Sequence, residues 1–245
     1  VSQLTRPALF AGASNVRDLG GMPLVGGGET RHHRLVRMDS PHALTDEGLA
    51  AVVEYGVATV VDLRTEGEQR ELPSRLLEMA AIRHVNAPIF TDQAPPEHLR
   101  TSADVYCWWF EDCRPGLRDA LVAIADAPAA PVLIHCHAGK DRTGVIVALV
   151  LRLAGVDPEL IADDYALSAV MLREMLEQDR QRMLARGEDP ERVERILSAR
   201  RESILEALSR IETDHGDVAT VMRMLELDET QVERLRTLLV ADTWP

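Results

Sequence analysis

The stretch His135-Cys136-His137-Ala138-Gly139-Lys140-Asp141-Arg142-Thr143-Gly144 gathers a nucleophile, two cations and two glycines into one short segment. A loop that runs from a strand into a helix N-terminus aims several backbone N–H groups at one point, where the helix dipole adds partial positive charge. Such a loop cradles an oxyanion. Gly139 and Gly144 permit the close approach and positive φ of a tight turn, and Arg142 offers a planar fork that matches two phosphate oxygens. The same field favours thiolate over thiol at Cys136. A thiolate attacking phosphorus in line, with the equatorial oxygens held by amide N–H groups and Arg142, forms a thiophosphate that water later opens. The Thr143 hydroxyl is expected to donate to the sulfur and ease its departure. His137, Ala138, Gly139, Lys140 and Asp141 complete the expected phosphate-binding loop.

Elements to position this loop are legible on both sides of it. Val132 to His135 reads as a strand, and Val145 to Leu153 as an apolar helix ending near Gly155. Upstream, Leu35 to Met38 and Val57 to Leu63 read as buried strands, with a helix between them capped by Thr45 and running through Leu49, Val52 and Val53 to Gly56. Ile82 to Ile89 is a further apolar run. An irregular Pro-containing stretch then leads to a helix over Pro115 to Ala127. Beyond Asp157-Pro158 the chain reads as almost wholly helical, with further helix-opening signals at Asp189-Pro190 and at Asp228 with Gln231. The whole, residues 1–245, is expected to be one α/β domain: a central sheet flanked by helices, with a helix-rich C-terminal half. Arg173 to Arg201 is strongly charged, which fits a solvated helix face. Its alternative is a cover over the site, with 157–201 as a helical lid.

The segment around Cys136 resembles the Cys-x5-Arg-Ser/Thr signature of the protein tyrosine phosphatase superfamily, flanking His135 and Gly139 included. Asn15-Val16-Arg17-Asp18-Leu19-Gly20-Gly21, Asp62-Leu63-Arg64 and Ala162-Asp163-Asp164-Tyr165 resemble further motifs of one branch, the bacterial tyrosine/serine phosphatases of the mycobacterial tyrosine phosphatase B type. The helices from Ile204 to Val240 are similar too, so the resemblance spans nearly the whole chain. Val16 stands where Phe is commoner, one apolar residue for another. The resemblance implies a protein tyrosine phosphatase-like fold, no metal and no cofactor. It also implies hydrolysis of phosphotyrosine, phosphoserine/threonine and phosphoinositides, so that phosphorylated proteins or phosphoinositide headgroups are the expected partners. Lys140, which phosphoinositide phosphatases share, would add charge near a substrate with more than one phosphate.

Departure of the leaving group needs a proton from a carboxylic acid within reach. In this family's pattern the acid follows the third strand, which selects Asp92; Asp141 is the runner-up, and Asp104 and Asp112 trail. Arg17, Asp18, Arg37, Asp62 and Arg64 lie beside apolar runs and read as ion pairs bracing sheet and loop. His135 and His137 flank the cysteine, yet alternate residues of an extended segment point to opposite faces, which argues against zinc. His135 is expected to buttress the loop. Cys107, beside Trp108 and Trp109, and Cys113 lack an activating environment and read as inert.

A net charge of −13 argues against a nucleic-acid or anionic-membrane surface. No apolar run reaches the roughly 20 residues of a membrane span, and three cysteines make no disulfide framework. A cytoplasmic location is expected, export without a classical signal being the alternative. A rhodanese-like sulfurtransferase also carries a loop cysteine, but its loop lacks the Arg-Thr-Gly ending. A binding-only module would have lost Cys136 or Arg142.

Overall fold

A computed structural model describes residues 9–90, 95–96, 98–128 and 131–240. The strands are β1 (Arg17–Asp18), β2 (Leu35–Met38), β3 (Thr59–Asp62), β4 (Arg83–Asn86) and β5 (Val132–His135). The helices are α1 (Asp46–Tyr55), α2 (Glu66–Glu71), α3 (Ser102–Asp112), α4 (Arg114–Ala125), α5 (Asp141–Leu153), α6 (Pro158–Met171), α7 (Arg173–Ala185), α8 (Pro190–Leu197), α9 (Arg201–His215), α10 (Val218–Met224) and α11 (Glu229–Leu238). The expected α/β architecture with a helix-rich C-terminal half is what the chain adopts.

Strand order is β1-β2-β5-β3-β4, with β1 antiparallel to β2 and the other pairs parallel. The three central strands β2, β5 and β3 are buried throughout, because a parallel sheet is covered on both faces. Alternation sorts their side chains into two layers: Leu35, Val61, Val132 and Ile134 join the larger core with α4 and α5, whereas Val36, Met38, Val60 and Leu133 meet Val52 of α1. Register places Met38, His135 and Asp62 side by side at the carboxyl ends of neighbouring strands. The loops leaving those ends therefore gather at one rim, the usual place for a site in an open α/β sheet.

Local signals explain most elements. Thr45 accepts from the Gly48 N–H at the start of α1, and Gly56 ends it with φ 86°. Three expectations need correction. The stretch before Pro115 is not irregular: α3 starts from a capping box between Thr101 and Asp104 and buries Tyr106, Trp108, Trp109 and Phe110. That Thr-x-x-Asp signal was present in the sequence but hidden behind prolines. The helix after the cysteine also begins at Asp141, four residues before its apolar run. The run over 82–89 shrinks to β4, an edge strand with no buried residue.

Of residues 157–201, α6 is core, burying Ile161, Ala162, Asp164 and Tyr165. A lid could therefore comprise only the segment after α6. There α7 buries nothing, and α8 buries Val193 and Leu197. No helix among the described residues is long and apolar enough to cross a membrane.

Candidate active site

Residues 136–140 connect β5 to α5 at the sheet's rim, and their backbone is tied from outside. The Asn15 side-chain amide donates to the carbonyls of Ala138 (2.9 Å) and Gly139 (3.0 Å), and Arg37 donates to those of Gly139 (2.7 Å) and Lys140 (3.3 Å). The Ser40 N–H donates to the His137 carbonyl at 2.8 Å. By contrast, the N–H groups of His137, Ala138, Gly139 and Lys140 donate to nothing among the described residues. With carbonyls engaged and amides unpaired next to the N-terminus of α5, the loop has the polarity of an anion cradle.

Gly139 has no substitute in this loop. Its φ is 62°, and a Cβ there would lie 2.1 Å from the Met38 carbonyl oxygen. At Gly144 a Cβ would meet the Tyr165 ring at 2.8 Å, so this glycine serves close packing of α5 on α6 rather than a turn.

Beneath the loop, Arg37 and Arg17 share Asp164, each at 2.6 Å. Burial pushes the Asp164 carboxyl up, but the two arginines outweigh it and hold it below the usual carboxylate range. Burial and the adjacent Arg17 bring Arg37 down to about 10, which leaves it charged at neutral pH. On the other flank Arg64 grips Asp62 (2.7 Å) and reaches the Ser40 hydroxyl (2.9 Å). These are the bracing ion pairs expected from the motifs. Asp18 pairs differently, taking the N–H groups of Gly20 and His33 and the Tyr55 hydroxyl.

Cys136 is 2% exposed, within electrostatic range of the Arg142 and Arg37 guanidinium groups. The His135 ring nitrogen Nδ1 lies 3.2 Å from the Cys136 carbonyl, the buttress anticipated. Burial lowers His135 to about 4, so its ring is neutral at pH 7 and Nδ1–H is the donor. The Thr143 hydroxyl is buried without a partner among the described residues. The expected bond to the sulfur is not formed.

Arg142 brings in a residue the sequence reading missed. Glu68 chelates its guanidinium at 2.6 and 2.7 Å, and the Leu63 carbonyl takes a third N–H at 3.3 Å. Of five guanidinium donors, two remain for a ligand. Glu68 is aimed by the capping box of α2, in which its carboxylate accepts from the Thr65 N–H at 2.9 Å. Burial raises Glu68, but the Arg142 bonds dominate and hold it at about 2. The box was readable as Thr65-x-x-Glu68, but only the fold brings it to Arg142. The Phe90 ring lies 5.2 Å from the guanidinium and stacks on Trp109.

Lys140 is the chain's single lysine, and it does not reach into the cradle. Its ammonium is buried and gives its donors to Asp141 Oδ1 (2.8 Å) and to the carbonyls of Ile196 (3.1 Å) and Ser198 (2.7 Å). Asp141 Oδ1 also accepts from the hydroxyls of Tyr106 and Tyr165. Asp92 lies outside the described residues. Asp104 instead caps α3 and pairs with Arg210 at 2.9 Å, and Asp112 ends the same helix. Neither lines the cavity of about 580 Å³ that opens beside Asp141 and Arg142 between Phe90, Trp109 and α8. Burial pushes the Cys107 and Cys113 thiols up, as inert cysteines require. Among the described residues no group of His, Cys, Asp and Glu could hold a metal.

Residues 8–241 match the model of a family described as the tyrosine phosphatase family. A tyrosine-protein phosphatase from Nostoc commune is 33% identical over 132 residues, 51% of this chain and 45% of that protein, so the chain matches less than half of that relative's length. The triple specificity protein phosphatase PtpB from Mycobacterium tuberculosis is 29% identical over 276 residues, covering 94% of this chain and 97% of that one. Among solved structures, P. aeruginosa TpbA is similar at 18% identity over 66% of this chain and 85% of that chain, with a TM-score of 0.33.

Proposed function

The chain belongs to the tyrosine phosphatase family, and from that premise we propose that it hydrolyses phosphotyrosine through a cysteinyl-phosphate intermediate. The observation that carries the reading is the set of unpaired amides at His137, Ala138, Gly139 and Lys140, with Cys136 at one end and two free guanidinium donors of Arg142 at the other. The Cys136 thiolate forms the S–P bond as the P–O bond to the leaving group breaks. The leaving oxygen takes a proton from a carboxylic acid, for which we keep Asp92. Asp141 suits that role poorly, because its Oδ1 already accepts from an ammonium and two hydroxyls. Water then attacks phosphorus, releasing phosphate and the thiolate.

Similarity along most of the chain to a relative named for triple specificity supports a range beyond phosphotyrosine, and we propose that it takes in phosphoserine/threonine and phosphoinositides, as the resemblance of the motifs implies. Lys140 gives phosphoinositides no direct support while its donors are committed elsewhere. We further propose a single domain in which 172–200 forms a helical cover beside the site.

The test is hydrolysis of para-nitrophenyl phosphate in EDTA. Cys136→Ser is expected to abolish turnover, and Arg142→Ala to lower kcat/KM by at least about a hundredfold. Activity that survives Cys136→Ser would overturn the mechanism. Asp92→Asn should remove the limb of the pH profile that reports the acid; an unaltered profile at near wild-type rate would assign the proton elsewhere.

A further inference from the structure

Arginines converge on the cavity beside Arg142 from two further segments, although the protein as a whole carries −13. Arg100 comes from the segment leading into α3, and Arg192 and Arg195 from α8. The Arg100 guanidinium has no partner among the described residues. Arg192 has only Glu188 at 3.9 Å, beyond hydrogen-bond range. Arg195 donates to the Leu99 carbonyl, which joins α8 to the segment carrying Arg100.

Three carboxylates line the same cavity. Asp141 is taken up by Lys140 and the two tyrosines, and Asp189 accepts from the Arg192 N–H as the cap of α8. Among the described residues Glu191 alone of the three is uncommitted, against two cations that lack a close partner there. Apart from Ser102, the remaining lining is apolar or aromatic, with Phe90, Pro95, Pro96, Trp109 and Ile196 prominent in it. Aromatic rings and prolines suit the aryl group and neighbouring side chains of a peptide better than a polyol ring, whose hydroxyls need partners.

We propose that this cavity is a second anion subsite for phosphotyrosine peptides in which a neighbouring residue carries its own negative charge, a carboxylate or a second phosphate. The inference rests on the phosphotyrosine reading and deepens it. The scissile phosphate lies in the cradle at Arg142, the aryl ring lies against Phe90 and Trp109, and the second anion meets Arg100 and Arg192, with Arg195 holding the two walls together. Lys140 is then no part of second-anion recognition. It fixes α8, through the Ile196 and Ser198 carbonyls, at the distance the arginines need.

The experiment measures binding of matched phosphotyrosine peptides, with neutral, glutamate or phosphotyrosine neighbours, to the whole chain carrying Cys136→Ser, and turnover of the same peptides by the wild type. A charge-assisted contact leads us to expect a preference of roughly tenfold for the anionic neighbour, fading as salt is raised. Arg100→Ala with Arg192→Ala should bring the ratio close to one, and Arg100→Lys should restore part of it. A merely structural role for these arginines would weaken all peptides alike and leave the ratio intact.

A wild-type ratio of one, or a ratio that survives the double substitution, overturns the subsite. So does an inositol bisphosphate headgroup whose binding depends on these arginines while the peptides' binding does not, because the cavity then serves a headgroup. Binding that shows the ratio without any turnover in the wild type would keep the subsite and strike only at the phosphatase reading.

Discussion

The floor of the site at Cys136 and the wall of the cavity beside it are built by opposite means. The floor is the loop 136–140, held by Asn15, Arg37 and Asp164 below it and by Glu68 at Arg142, every one of them drawn from a different segment. The wall is α8, backed by α7, which buries no residue and meets it through exposed pairs such as Arg180–Glu194. Charges in the floor are desolvated and cannot move without leaving a partner unpaired. Those in the wall are solvated and individually worth little. The contrast suits a phosphatase: in-line attack tolerates little error in the cradle, whereas substrates differ in what surrounds the phosphate.

If the floor is the rigid part, the largest stability loss should come from Asp164. Asp164→Ala leaves Arg37 and Arg17 facing each other in a buried site, and a loss of about 3–5 kcal/mol is expected in denaturant unfolding. Arg180→Ala in the wall should stay within about 0.5 kcal/mol. Comparable losses at the two positions would erase the distinction.

Next in size is a pH effect confined to the floor. His135 is held neutral down to about 4, against 6.5 for a free imidazole. Below pH 6.5 the unfolded chain takes up a proton that the native state refuses. Stability is therefore lost as pH falls from 6.5 to 4, by up to about 3 kcal/mol, and the loss levels off once the native ring also protonates. His135→Gln should flatten that part of the stability profile. Glu68 runs the same way in sign but lies lower on the scale. Its carboxyl, depressed from 4.5 to about 2, stabilises the fold above the ordinary glutamate range and loses that contribution progressively as pH falls from 4.5 to about 2, below most of the His135 window.

The same contrast decides what could be read without the fold. Cys136, Gly139 and Arg142 are contiguous, and their spacing alone implied a cradle between strand and helix. The braces were visible as charged residues next to apolar runs, but their pairing was not, because Asn15, Arg37 and Asp164 are brought together only by the strand order. Glu68 was hidden for the same reason. The start of α3, the helix that carries Trp109, was missed because prolines masked it. The error over Lys140 was of another kind: a cation inside a phosphate loop was assumed to face the phosphate, and nothing local shows that the α8–α9 connection passes within 3 Å of its ammonium.

Lys140 joins the two regions, so its substitution gives the smallest and most pointed prediction. An ammonium has three donors on a compact head, and here they meet one carboxylate and two carbonyls, none of which an arginine fork would match in the same place. Removing one partner of a buried pair is ordinarily costly, but Asp141 is partly exposed and would keep Tyr106 and Tyr165 as donors. Lys140→Met should therefore cost about 1–2 kcal/mol in global unfolding, less than Asp164→Ala, from the two carbonyls it leaves without a donor. What it should change is local: amide exchange in α8 is expected to speed up while exchange in α5 and α6 does not, since only the wall loses an anchor. The wild type offers a second readout, because the chain has one lysine. Acylation of Lys140 by an amine reagent should be slow in native protein and faster in Arg195→Ala, which cuts the other anchor of α8 at Leu99. If Lys140 in native protein reacts as fast as it does in urea, the tether does not hold in solution. The wall would then be independent of the floor, and the arginines on α8 would have no fixed distance from Arg142.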